Sequence, residues 1–104
     1  MDAEGLYDAI AQKFNQDPEI TIARMFGGSA LKAQNKVFAC FYKGRLVLKL
    51  PANRVNELVA TGNAEHFDSG TGRPAKEWVA IDAVRGDEWP ALAGEARTFV
   101  SSMR

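Results

Sequence analysis

Leu6, Ile10 and Phe14 recur every four residues, with Tyr7 and Ala9 beside them, so residues 3–15 read as an amphipathic helix with one apolar stripe. Asn15-Gln16-Asp17-Pro18 closes it, because Pro18 disfavours the helical region for the residue before it. The period then changes. Residues 20–26 are rich in β-branched and aromatic side chains, and residues 30–33 form a short second strand candidate. Val37-Phe38-Ala39-Cys40-Phe41-Tyr42 is apolar at both parities, the pattern of a central strand covered on each side. Leu46, Leu48 and Leu50 alternate with Arg45, Val47 and Lys49, as in a half-buried strand. Gln34-Asn35-Lys36 and Lys43-Gly44 are the turns between these strands, with Asn35 and Gly44 suited to positive φ.

Pro51 opens a second helix with Val55, Leu58 and Val59 as its buried stripe and Gly62 as its stop. Residues 63–76, polar and rich in Gly, Ser and Thr, read as one long loop. Trp78, Val79 and Ile81 make a fifth strand ending at Asp82. Asp87 is expected to cap a last helix whose stripe is Trp89, Leu92, Ala93, Ala96, Phe99, Val100 and Met103. The order is α-β-β-β-β-α-β-α. Such short connections predict an α+β fold: an antiparallel meander of about five strands with N-terminal, middle and C-terminal helices. A length of 104 residues predicts a single domain over 1–104.

Composition narrows the setting more than the activity. The longest apolar run, residues 37–42, is far below the ~20 residues that cross a bilayer. The acidic start Met1-Asp2-Ala3-Glu4 carries no signal core. One cysteine forms no internal disulfide, which points to a reducing, cytoplasmic location. The formal net charge is zero but unevenly spread. Residues 1–19 hold five acids against Lys13. Residues 20–64 hold Arg24, Lys32, Lys36, Lys43, Arg45, Lys49 and Arg54 against Glu57 alone. This basic block reads first as soluble, edge-protecting strand charge. Its functional alternative is a surface for acidic or phosphate-bearing partners.

Catalytic constellations fail one by one. Cys40 and His66 are single, so no metal-ligand spacing exists. Cys40 sits mid-strand, where an inert buried thiol is expected, and His66 is expected on a surface loop. Ser69-Gly70-Thr71-Gly72-Arg73 lacks the preceding strand, the Lys-Ser/Thr ending and the following helix of a phosphate loop. Glu77 and Asp82 read as solvated strand ends. Phe38, Phe41 and Tyr42 read as packing residues, Trp78 and Trp89 as core or interface anchors. No catalytic residue, cofactor or metal is expected.

Arg24-Met25-Phe26-Gly27-Gly28, followed by Val37-Phe38-Ala39 and Leu46-Val47-Leu48-Lys49-Leu50, resembles the N-terminal domain of TfoX/Sxy competence regulators. Gly72-Arg73-Pro74 and Trp78-Val79-Ala80-Ile81 are similar to the matching region of that family and of MmcQ/YjbR-like domains. The resemblance covers residues 5–103 and implies a compact α+β domain of a bacterial, cytoplasmic regulator, connected with transcription regulation and not with a known enzyme activity. Full-length members resemble two-domain proteins with a C-terminal helical unit that looks DNA-binding. The sequence to Arg104 is expected to be a single domain of the N-terminal type, lacking that C-terminal unit.

The expected role is a non-enzymatic regulatory or adaptor module, with a protein partner favoured over DNA by the zero net charge. Its candidate contacts are Arg24, Gly27, Gly28, Lys32, Arg45 and Lys49. Arg24 has a purely structural alternative, pairing with an acid such as Asp82. Two other functions stay open: direct DNA binding through the basic strand block, and a small-molecule site beside the glycine corner and the 63–76 loop. A homodimer through the last helix or an edge strand is a further alternative. No membrane contact is expected.

Overall fold

The computed structural model describes residues 2–25, 28–67 and 76–102, with backbone only for residues 24 and 25. Helix α1 covers Ala3–Phe14, capped by Asp2, whose side chain accepts the Gly5 N–H at 2.8 Å. Strands β1 (Ile20–Met25), β2 (Gly28–Ala33), β3 (Lys36–Tyr42) and β4 (Arg45–Lys49) follow as antiparallel hairpins. The β2–β3 turn has φ of 52° at Gln34 and 69° at Asn35; the β3–β4 turn has 51° at Lys43 and 78° at Gly44. Two successive positive φ values match the right-handed twist of the flanking strands.

Helix α2 (Ala52–Thr61) stops at Gly62, which takes φ 96°. The chain then forms β5 (Ala64–His66) and β6 (Trp78–Ile81), a 3₁₀ helix over Ala83–Glu88, and α3 (Trp89–Ser101). The sheet order is β1-β2-β3-β4-β6-β5, with every neighbouring pair antiparallel. The class is therefore α+β as expected, but the sheet has six strands instead of five. The additional strand lies inside the expected 63–76 loop. Only Ala64 of its three residues is buried, so it has almost no period to read. Backbone pairing with β6 (Ala64↔Ile81, Glu65↔Ala80, His66↔Val79) makes it a strand. His66 is thus a strand residue, with Nε2 3.0 Å from Asn56 Oδ1 on α2.

All three helices contribute to one core on one face of the sheet. Tyr7, Ile10, Val55, Leu58, Trp89, Leu92, Ala96 and Val100 meet Leu31, Phe38, Leu46, Leu48 and Ile81 there. Burying each of Leu46, Leu48 and Leu50 completely contributes on the order of 2 kcal/mol. A register shift between Leu31 and Lys32 leaves Phe38 as an extra residue in β3. Such a bulge lets consecutive Phe38 and Ala39 both enter the helix-side core. In α1, Tyr7 is buried and Ala9 is exposed, so the stripe is rotated slightly from its expected position.

The last helix begins differently from the expectation. Asp82, not Asp87, supplies the cap, accepting the Val84 N–H at 2.9 Å at the head of the 3₁₀ segment. Trp89 starts α3 fully buried, and its indole N–H donates to the Asp82 carbonyl at 3.2 Å. The 3₁₀ segment packs under α1: a Cβ on Gly86 would lie 2.6 Å from Leu6 Cδ1.

Candidate functional site

β-strand parity divides the expected contact residues between two places. Lys32 pairs with Val37, Arg45 with Tyr42, and Lys49 with Trp78. Directly paired residues in an antiparallel ladder share a face. Val37, Tyr42 and Trp78 all pack on the second, smaller cluster of Ala30, Cys40, Val47, Phe67 and Ala80, away from the helices. Lys32, Arg45 and Lys49 therefore occupy the helix-free face together. Lys49 and Arg45 stand at opposite ends of β4, about 13 Å apart along the strand. Val37, Lys49 and Trp78 also border, with Lys36 and with Val100 of α3, one hollow of about 220 Å³, so this end of the face reaches the last helix.

The charges on this face touch aromatic rings. Lys49 Nζ lies 5.3 Å from the Trp78 ring centre and Lys43 Nζ 5.2 Å from that of Tyr42, both within cation–π range. Tyr42 and Phe67 meet edge-on at 5.6 Å. Two acids share the surface. Glu65 reaches Arg45 at 3.4 Å and Glu77 reaches Lys49 at 3.7 Å. Glu65 is 77% exposed, so its pair is screened and weak. Lys32 makes no ion pair among the described residues.

Cys40 lies beneath this face at 1% exposure, and burial pushes its thiol up to about 11. Its sulfur is protonated and covered near neutral pH, the inert state expected from its strand position.

The glycine corner belongs elsewhere. Met25 pairs with Gly28 and Arg24 with Ser29, so the run joins β1 to β2 as a fold marker should. Gly27 and the side chain of Arg24 lie outside the described residues. Gly28 lines a cleft of about 670 Å³ on the helix-covered side, between α1 and the β1–β2 ribbon. In its wall, Tyr7 donates its hydroxyl to Ser29 Oγ at 3.2 Å and stacks obliquely on Phe41 at 5.4 Å. Burial is the main reason that the Tyr7 phenol is raised to about 12, with the Ser29 bond opposing and Asp8 adding slightly.

Sequence reasoning missed two arginines that hold this frame. Arg97 of α3 reaches Asp17 at 2.7 Å and Glu19 at 3.0 Å, tying the last helix to the α1–β1 connection. Arg85 donates to the Leu58 and Gly62 carbonyls at 3.2 and 2.9 Å, and so caps α2 from another element. Neither partner is local in sequence, so no spacing rule finds them. No described helix is long and apolar enough to cross a membrane, and no cluster of three or more His, Cys, Asp or Glu able to hold a metal occurs among the described residues.

Comparison with known proteins finds the TfoX N-terminal domain family, whose model matches residues 12–94. No curated protein and no solved structure matches the chain.

Proposed function

This chain belongs to the TfoX N-terminal domain family, and we propose that it is a non-enzymatic regulatory binding module of the cytoplasm that receives an acidic segment of a partner protein. The observation that carries the reading is the row of Lys32, Lys49 and Trp78 across the helix-free face, with Arg45 and Tyr42 at its other end. A half-buried indole beside an ammonium offers apolar contact and charge at one point, the combination found in interface anchors. Partner carboxylates replace Glu77 and Glu65, whose pairs with Lys49 and Arg45 are long and solvent-screened. A neutral chain lacks the overall field that draws proteins to DNA, so a protein partner is the better fit.

Immobilised wild type and the Lys32→Glu/Arg45→Glu/Lys49→Glu variant provide the test. A discrete partner held by the wild type, released by salt and lost from the variant is the expected result. Equal capture by both proteins overturns the assignment. Duplex DNA bound at low salt, with a salt slope reduced in the variant, would replace the protein by DNA on this face.

A further inference from the structure

We infer that strand β1 is the contact through which two copies of this chain pair, antiparallel about a two-fold axis at Ile22, so that their sheets join into one. The two edges of the sheet differ. β5 is three residues long, carries the exposed Glu65 and is held to α2 by the contact of His66 with Asn56, features that deter pairing with another chain. β1 is six residues long, Ile-Thr-Ile-Ala-Arg-Met, with one charged residue, no proline and an unbroken register on β2. Such an edge is a template for a further strand.

The register fixes which backbone groups are open. The Gln34 N–H donates to the Glu19 carbonyl at 3.3 Å, and bonded pairs alternate along an antiparallel ladder. Thr21, Ala23 and Met25 therefore bond to β2, while Ile20, Ile22 and Arg24 turn their N–H and C=O groups to the open edge. The Ile20 N–H already donates to the Asp17 carbonyl at 3.1 Å. A two-fold axis at Ile22 matches the groups that are left. Each Ile22 exchanges both bonds with its counterpart, and each Arg24 N–H meets the Ile20 carbonyl opposite it. The Ile20 N–H is not required, and only the Arg24 carbonyl stays with solvent.

The apolar surface agrees with this register. Ile20 lies in the helix-side core, so Ile22 projects to the same face, where it is 49% exposed. On the axis the two Ile22 side chains cover one another, and apolar residues directly opposite stabilise a ladder. Sliding the copies by one bonded pair toward Arg24 sets Ile22 against a charged residue and brings the two arginine positions closer. Sliding toward Ile20 needs its occupied N–H. The open groups of β1 thus complement themselves, which singles out a second copy as the occupant. Six residues a side are few beside the roughly 20–30 of a standard interface, so the dimer dissociates on dilution.

Sedimentation velocity and amide exchange on the full chain, from about 5 µM to about 1 mM, test the pairing. The mass is expected to rise with concentration from one chain toward two. Over the same range the Ile22 and Arg24 amides should gain protection, whereas β2 protects those of Thr21 and Ala23 throughout. Ile22→Lys keeps the backbone, removes the apolar contact and opposes two ammonium groups, and should weaken the dimer at least about tenfold. Val84→Lys makes the same change at a residue 71% exposed and outside the sheet, and should leave the dimer unchanged. A chain that stays monomeric at every concentration overturns the proposal. So does a dimer that tolerates Ile22→Lys, or one whose Ile22 and Arg24 amides exchange as fast as in dilute solution. The exchange measurement on the wild type stands without any variant. Because Lys32, Arg45 and Lys49 are untouched, partner capture by the helix-free face is read separately.

Discussion

Replacing Arg85 by methionine tests how the α2–β5 corner is held. The Arg85 side chain is 13% exposed. Its Nη1 donates to Leu58 O at 3.2 Å, Thr61 Oγ1 at 2.9 Å and Gly62 O at 2.9 Å. Nε and Nη2 grip Glu88 at 2.8 and 2.9 Å. The hydrogen bond from Arg85 is the main reason that the Glu88 carboxyl is held below its usual range. Helix α2 has no basic residue in its own last turn, so Arg85 supplies the positive charge that its C-terminal carbonyls favour. Arg85→Met keeps the apolar stem and removes every donor. Two carbonyl bonds from a charged donor, discounted for partial solvent access, and the helix-end interaction sum to about 2–3 kcal/mol. For a domain of this size that lowers Tm by roughly 10 °C. Urea unfolding followed by circular dichroism measures the loss, and amide exchange near Gly62 should accelerate locally. Glu88→Gln removes only a half-exposed carboxylate and should produce a small part of the effect. Equal losses in the two variants would refute the helix-capping account and assign the stability to the ion pair. A loss below about 0.5 kcal/mol for Arg85→Met would refute both.

The β3–β4 turn makes a second test. Gly44→Ala meets no atom within 4 Å, so its expected loss of about 1 kcal/mol comes from φ 78° alone. Lys43→Asn at φ 51° should stabilise by a few tenths of a kcal/mol, both by chemical denaturation. A third concerns alkaline pH. Cys40 and Tyr7 are raised to about 11 and about 12 from ordinary values near 9 and 10, so the unfolded chain loses these protons first. Their contribution is complete below pH 9 and declines as pH rises through 9–11 for Cys40 and 10–12 for Tyr7. The slope is about 1.4 kcal/mol per pH unit for each group within its window. Urea midpoints measured from pH 8 to 11.5 should fall accordingly, and Cys40→Ala should remove the earlier part of the fall. A midpoint constant across that range would contradict the burial account.

Much of the fold was legible because local periodicity survives folding. Leu46 and Leu48 of β4 and Leu50, one residue past its end, alternate and all enter the helix-side core. Of the expected stripe, Trp89, Leu92, Ala93, Ala96 and Val100 are buried as their spacing requires, Phe99 stays partly exposed, and Met103 lies outside the described residues. Arg45 and Lys49 share a face by parity alone. Lys32 needed the strand register, because the bulge at Phe38 shifts how β2 meets β3. Strand β5 was illegible for the same reason that it exists: three residues at a sheet edge take their conformation from β6, not from their own pattern.

The amino-acid sequence by itself determined the order of most elements, the two tight turns, the inert cysteine and the family to which the chain belongs. Those properties rest on interactions within a few residues, or on a motif that is itself contiguous. Only the tertiary structure decided the sixth strand, the capping of α2 by Arg85, and the gathering of Lys32 with Arg45 and Lys49 on the helix-free face. Each of these joins side chains or backbone from distant segments. Their energies arise from burial and charge across the assembled layers, which no single stretch of the chain contains.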